Sequence, residues 1–244
     1  MLSRIRDTIK LRTRLRQLPS KIRQSAGSWF FGLGRSLLGY DQPRVIWFDV
    51  GANRGQTTLS IAKSDPKIMV YDFEPNLELA LDLMREAPDN YVVLPVAVAD
   101  FDGQAELHVT AYDPTSSLLP PNPDFDWEID NVDEMKEVVR RVTVPVLRLD
   151  TFMEKLQLGT VDYMKIDAQG LDLAVLKSAG DRLRHFKKIM LEVITSPVDM
   201  YEGECTKEDV VEFMEMAGFS LVEVSILPPG IAEDLTFVRS DLVT

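Results

Sequence analysis

At 244 residues and 45% apolar content, the chain can bury a sizeable core and suits one large domain with appendages better than two full domains. Its single cysteine, Cys205, excludes an intramolecular disulfide and gives no sign of an oxidising compartment, so a cytoplasmic setting is expected. The formal charge of −12 is uneven: residues 1–40 hold nine Lys/Arg against one acid, leaving 18 basic and 38 acidic residues over 41–244, a net of −20 that argues against nucleic acid as a partner of the main surface.

Residues 1–40 read as a basic helical extension ahead of a main domain over 41–244. Apolar positions fall into two sets at helical spacing, Leu2, Ile5 and Ile9, then Leu11, Leu15, Leu18 and Ile22. The step from Ile9 to Leu11 breaks the register, and Pro19 disturbs the last turn. The segment 1–23 therefore suits a cap with its cations facing the acidic body, with contact to a membrane surface or partner protein as the second use. No run approaches 18 consecutive apolar residues, and Arg and Lys interrupt every apolar stretch before residue 24, so neither a transmembrane helix nor a signal peptide is expected.

From residue 44 short apolar runs alternate with helical patterns. "RVIWFDV" (44–50), "KIMVYDFE" (67–74), "YVVLPVAVA" (91–99), "VDYMKID" (161–167) and "KKIMLEVI" (187–194) read as strands. Helices are expected over 55–64, 76–87, 170–179 and 206–217. "FSLVEVSI" and "LTFVRS" form an antiparallel ending. Near-continuous apolar strands alternating with helices predict an α/β fold with a mostly parallel sheet covered on both faces. An insertion over about 103–148 breaks this rhythm: "GQAELHVT" (103–110) alternates like an exposed strand and can pair with "RVTVPVLRLD" (141–150). Residues 112–137 between them, rich in Pro and acids, suit a lid.

In an open parallel sheet, ligands sit beyond the carboxyl ends of the strands. Those ends carry Asp49 to Gly55, then Glu74, then Ala97 to Asp100, then Asp167 to Gly170, with Glu192 on the fifth strand. Gly51 lets backbone approach a ligand, and Gly55 opens the first helix, whose amides attract an anionic group. A dinucleotide fingerprint counted from Gly51 needs glycines where the chain has Asn53 and Gln56. The pattern present, D-x-G-x-x-x-G, leaves room for a compact charged end rather than a bridging pyrophosphate. Glu74 stands where an acid accepts the hydroxyls of a ribose.

"FDVGANRGQTT", "YDFEPN", "PVAVADFDGQAELHV", "LRLDTF" and "VDYMKIDAQGLDLAVLKSAG" followed by "IMLEV" resemble, in matching order over roughly 45–195, the FkbM-type family of S-adenosylmethionine-dependent methyltransferases. The resemblance implies a Rossmann-like class I methyltransferase fold with a seven-stranded sheet. It places the methionyl end of S-adenosylmethionine near Asp49, Gly51, Asn53 and Gly55, the ribose on Glu74, and the adenine edge around Val98 to Asp100, with Asp167 beside the methyl group. The family often has Glu where this chain has Gln169 and Asp172, which counts against a carboxylate role at 169.

Methyl transfer from a sulfonium is an in-line displacement needing alignment first, and a hydroxyl acceptor must also lose a proton. His108 and His185 are badly placed for that and read as structural. Asp167 is the principal candidate as base or orienting group, Glu192 the second, and Lys165 lies on the same side of its strand as Asp167. Two carboxylates could instead hold Mg²⁺, although no residue is assigned as a metal ligand. Ser116, Ser117 and Gln169 are candidates for touching the acceptor, and the acidity of 112–137 suits a neutral or cationic one. The resemblance favours O-methylation of a sugar, glycan or secondary-metabolite hydroxyl; the alternative is a non-catalytic cofactor- or partner-binding module on the same scaffold. "IDAQG" stands where an amino-group nucleic-acid methyltransferase would show N/D-P-P-Y/F.

Overall fold

The computed structural model describes residues 45–127 and 130–243, so the basic extension over 1–40, and any membrane or partner contact through 1–23, lie outside the described residues. In chain order the elements are β1 (Val45–Val50), α1 (Leu59–Ser64), β2 (Ile68–Phe73), α2 (Leu77–Glu86), β3 (Tyr91–Leu94), β4 (Ala97–Val98), β5 (Gly103–Thr110), α3 (Val132–Lys136), β6 (Val138–Leu147), α4 (Leu149–Leu156), β7 (Val161–Ile166), α5 (Asp172–Ser178), β8 (Phe186–Ile194), α6 (Lys207–Met216), β9 (Phe219–Leu227) and β10 (Ala232–Arg239). Seven strands form one sheet in the order β3-β2-β1-β7-β8-β10-β9. Every pairing from β3 across to β8 is parallel, and β10 is antiparallel to both its neighbours, which gives the expected antiparallel end.

The sheet has apolar cover on both faces, and its central strands are mostly apolar, with Asp49, Asp72 and Lys165 as buried exceptions. Phe48 on β1 is fully buried and meets Tyr71, Phe73, Phe152 and Phe186 edge-on, with centroids 5.6–5.8 Å apart. Each such pair adds about 0.5–1.5 kcal/mol beyond area burial. Helix α2 starts where Asn76 accepts from the Glu78 amide and buries Leu79, Ala80 and Leu83 along one face. Helix α6 starts in a capping box between Thr206 and Asp209. Both termini follow the local sequence.

Three differences from the sequence expectations bear on the site. The run 91–99 is two strands: Pro95 supplies no amide, Val96 turns back to the Leu94 carbonyl at 2.8 Å, and β4 leaves the main sheet to pair with β6. The second sheet runs β4-β6-β5, with β5 and β6 antiparallel as their alternation predicts. The strand expected over 141–150 stops at Leu147 and α4 takes over, burying Leu149, Phe152 and Met153 at helical spacing. Helix α1 begins at Leu59 rather than residue 55, because Asn53 (φ 50°) and Gly55 (φ 72°) hold the intervening chain in turns.

The first part of the insertion is docked, not free. Asn122 donates its amide to the Met200 carbonyl at 2.9 Å and its Nδ2 to the Asp199 carbonyl at 2.8 Å, while Trp127 Nε1 donates to Ser196 Oγ at 2.8 Å. Phe125, Met200 and Tyr201 form a small core beneath. Among the described residues no helix is long and apolar enough to cross a membrane.

Candidate functional site

A cavity of about 700 Å³, its open mouth included, lies beyond the carboxyl ends of β1, β2, β4 and β7. Its floor comes from Val50 and Gly51, Phe73 and Glu74, Ala97 and Val98, and Asp167 to Gln169. The insertion closes it from the other side with Leu107, Asp113, Pro114 and Ser116 to Leu118. The break at Pro95 brings β4, and with it Val98, against this space.

At Gly51 the geometry requires glycine. Its φ is 71°, and a Cβ there would lie 1.9 Å from the Asp167 carbonyl oxygen. The close approach of the two strand ends places Asp167 at the cavity. Glu74 is 5% exposed and accepts two backbone amides, Asn53 N at 2.8 Å on Oε2 and Asn76 N at 2.7 Å on Oε1. Burial pushes its carboxyl up to about 7 although both amides oppose that shift. Asn53 is a non-glycine residue in the left-handed region, which aims its amide at Glu74, and its buried Oδ1 has no partner within the described residues. That oxygen is a free acceptor on the cavity wall.

Under this floor lies a buried polar cluster. Lys165 Nζ donates to the Gly51 carbonyl at 2.8 Å and stands 3.3 Å from Asp167 Oδ2 and 3.5 Å from Asp49 Oδ1. Burial pulls this ammonium down, but the carboxylates of Asp167 and Asp49 outweigh it and hold its pKa above the ordinary lysine value. It is a cation here, not a base. Asp49 is fully buried, with Thr58 Oγ1 donating to Oδ2 at 2.6 Å. Thr58 contacts the Tyr91 hydroxyl at 3.0 Å, which in turn contacts Asp72 Oδ2 at 2.5 Å. Sequence reasoning missed Thr58, Asp72 and Tyr91; the signal was a second buried aspartate in "YDFEP", in register with Asp49 across β1 and β2.

Gln169 (φ 51°) donates Nε2 to Asp167 Oδ1, accepts from the Tyr201 hydroxyl on Oε1, and accepts from Ser117 Oγ on its own carbonyl at 2.7 Å. The structure thus brings Ser116, Ser117, Gln169 and Asp167 to one cavity; Tyr201, which sequence reasoning also missed, is fully buried behind Gln169 and does not line it. Glu192 does not line that cavity. It sits half-buried on β8, opposite Asp234 of β10, and burial together with Asp167, Asp172 and Asp234 pushes its carboxyl up to about 8.

Four further expected residues stand elsewhere. Asp49 and Lys165 lie beneath the floor rather than on it. Gly55 faces Leu83, Leu59 and Tyr91, where a Cβ would come within 2.8 Å of the Leu83 side chain, so its constraint is packing and not ligand approach. Asp100 is exposed, with its carbonyl bound by Arg148 Nη1, and is not a lining residue. Among the described residues no group of three or more His, Cys, Asp or Glu side chains is arranged to hold a metal ion.

The family model described as the methyltransferase FkbM domain matches residues 49–221. The chain belongs to this family. It is accordingly an S-adenosylmethionine-dependent methyltransferase. A relative over nearly the whole length is the 2-O-methyltransferase NoeI of Sinorhizobium fredii, 23% identical, with 96% of this chain and 95% of that protein covered. Similar solved structures include a SAM-dependent methyltransferase from Aquifex aeolicus (14% identity, TM-score 0.42, 84% of this chain and 88% of that one). Another is M. capricolum TrmK in complex with S-adenosyl-homocysteine (7% identity, TM-score 0.42), of which the match spans 62%, under two thirds, against 80% of this chain. For this FkbM-family chain the donor set suits an adenosyl sulfonium: a buried carboxylate, Glu74, at the end of β2, a partnerless amide oxygen on the wall, and apolar Phe73, Leu79, Val98 and Leu107 along the rest.

Proposed function

We propose that the protein transfers a methyl group from S-adenosylmethionine to a hydroxyl of a sugar, glycan or secondary metabolite, with the cofactor in the cavity above Gly51. The observation that carries this is the convergence of Gly51, Asn53, Glu74, Val98 and Asp167, from four strand ends, on one cavity in a chain matched by the FkbM family model. Glu74 would hold the ribose hydroxyls, the Asn53 amide oxygen would accept from the methionyl ammonium, and Val98 with Leu107 would flank the base. When bound, the cofactor supplies a methyl on an already activated leaving group, so the chain's own task is to align the acceptor and take its proton.

Asp167 is held by Lys165 on one carboxylate oxygen and Gln169 on the other, which fixes its orientation at the cavity edge. It is the residue best placed to orient or deprotonate an acceptor hydroxyl, while Glu192, on the neighbouring strand and outside the cavity, would take the proton only from an acceptor seated beyond the Asp167 edge. Ser116 and Ser117 line the same space from the insertion. The O-methylation reading is supported by the 2-O-methyltransferase relative.

Incubation with methyl-labelled cofactor and a panel of mono- and oligosaccharide and polyphenol hydroxyl acceptors, read by mass spectrometry with and without EDTA, tests this. Labelled methyl ether in both conditions supports the reading. Transfer that stops with EDTA and returns with Mg²⁺ assigns the metal-assisted route instead. Cofactor binding with no transfer to any native extract favours the non-catalytic module.

A further inference from the structure

We infer that Asp72 is a neutral carboxylic acid and a positioning residue, whose proton, relayed through Tyr91 and Thr58, keeps Asp49 ionised and Lys165 seated on the Gly51 carbonyl under the cofactor. The inference rests on the cofactor reading above. Three contacts link four side chains: Asp49 Oδ2 to Thr58 Oγ1 at 2.6 Å, Thr58 Oγ1 to Tyr91 Oη at 3.0 Å, and Tyr91 Oη to Asp72 Oδ2 at 2.5 Å. The two hydroxyls supply two hydrogens, so three hydrogen bonds need a third proton on one of the carboxyls. Asp49 has the Lys165 ammonium at 3.5 Å, which favours its anion. Asp49 and Asp72 each keep a buried Oδ1 without a hydrogen-bond partner among the described residues, but only Asp49 has a cation beside it, which leaves the acid to Asp72. Every bond then runs one way: Asp72 donates to Tyr91, Tyr91 to Thr58, and Thr58 to Asp49.

The two aspartates are paired residues on β1 and β2, both 0% exposed, where two adjacent anions would repel at low dielectric. The charged or titratable groups facing Asp72 are Asp49 from β1, Tyr91 from β3, Lys165 from β7 and Glu74 on its own strand. Burial, reinforced by Asp49 and Glu74, outweighs the pull of Lys165 and pushes its carboxyl up to about 8. None of these three newly found side chains lines the cavity, so their reach to the cofactor runs through Asp49, Lys165 and the Gly51 carbonyl.

Asp72→Asn reproduces the donor that the acid supplies, whereas Asp72→Ala and Tyr91→Phe break the relay. Calorimetric titration with S-adenosylhomocysteine and urea unfolding, both from pH 5.5 to 9.5, decide the matter. The expected result is that Asp72→Asn binds within about twofold of wild type at pH 7, that wild type weakens relative to it above pH 8, and that the other two variants bind at least tenfold more weakly. In urea, wild type loses stability relative to Asp72→Asn between pH 5.5 and 8, at about tenfold in the unfolding constant per pH unit, because a proton held in the fold is released on unfolding. Parallel pH curves for wild type and Asp72→Asn in urea overturn the neutral acid. Tenfold weaker binding by Asp72→Asn at pH 7, or unchanged binding by folded Tyr91→Phe, overturns the relay. Wild type that does not bind at all defeats the cofactor reading and the positioning role with it, and the urea arm then judges the proton alone.

Discussion

Replacing Lys165 by Met removes the one cation among the described residues that stands within 3.5 Å of both Asp49 and Asp167, while keeping the length and apolar stem of the side chain. The ammonium is 9% exposed and Asp49 1%, so solvent does little to screen the pair. Removing one partner of a buried ion pair strands the other, at a cost of about 3–5 kcal/mol. With an unfolding slope near 2.5 kcal/mol per molar urea, the midpoint should fall by about 1.2–2 M at pH 8. The loss should shrink at lower pH. Burial already raises Asp49, Lys165 opposes that, and without the cation its folded pKa climbs further above its unfolded value. A carboxyl raised in the fold contributes stability at low pH that is lost as pH rises through the folded pKa. At pH 5.5 Asp49 therefore takes up a proton, and the remaining loss is that of the hydrogen bond to the Gly51 carbonyl, about 1.5–3 kcal/mol for a charged donor. Adding Asp49→Asn should recover part of the pH 8 loss. Urea midpoints for wild type, Lys165→Met, Asp49→Asn and the double variant at two pH values form the assay. A Lys165→Met penalty equal at both pH values, or a double variant no better than the single one, would refute the idea that Asp49 is a buried anion held by this lysine.

Gly51→Ala should cost at least about 2 kcal/mol from the positive φ and more from the 1.9 Å overlap with the Asp167 carbonyl, and should abolish measurable cofactor binding in calorimetry. Tyr201→Phe removes the hydroxyl that contacts the Thr115 carbonyl at 2.9 Å and Gln169 Oε1; a loss of about 1–3 kcal/mol and faster proteolysis over 112–137 are expected, both read against wild type with cofactor bound. If Glu192 is the proton acceptor, kcat/KM rises with pH and levels off above about 8, since this raised carboxyl must ionise first; Glu192→Gln should remove that limb, and an unaltered profile assigns the proton to another group.

The parallel sheet was legible because its strands are buried on both faces and read as unbroken apolar runs, and the strand-end residues followed from topology alone. Glu74 and Asp167 reached the cavity on that logic. Pro95 was visible in the sequence, but its consequence, the transfer of β4 to a second sheet, depends on β6 arriving some fifty residues later. Gly55 shows the limit of reading a glycine: the same residue serves ligand approach or side-chain packing, and only Leu83 on α2 tells which. Asp100 came from the family resemblance and from its place just after the run 91–99, whereas β4 ends at Val98. The Asp49–Thr58–Tyr91–Asp72 cluster joins β1, the turn before α1, β3 and β2, and Tyr201 joins the segment after β8 to the insertion. Neither leaves a local periodicity to find.

The central claim is that the cavity above Gly51 holds an adenosyl sulfonium through Glu74. Calorimetric titration of the wild type and of Glu74→Ala with S-adenosylhomocysteine tests it most directly. The account predicts one-to-one binding by the wild type that weakens at least tenfold in Glu74→Ala with the fold intact by circular dichroism. Equal affinity in the two proteins, or no heat from the wild type while a nicotinamide dinucleotide binds, would contradict it.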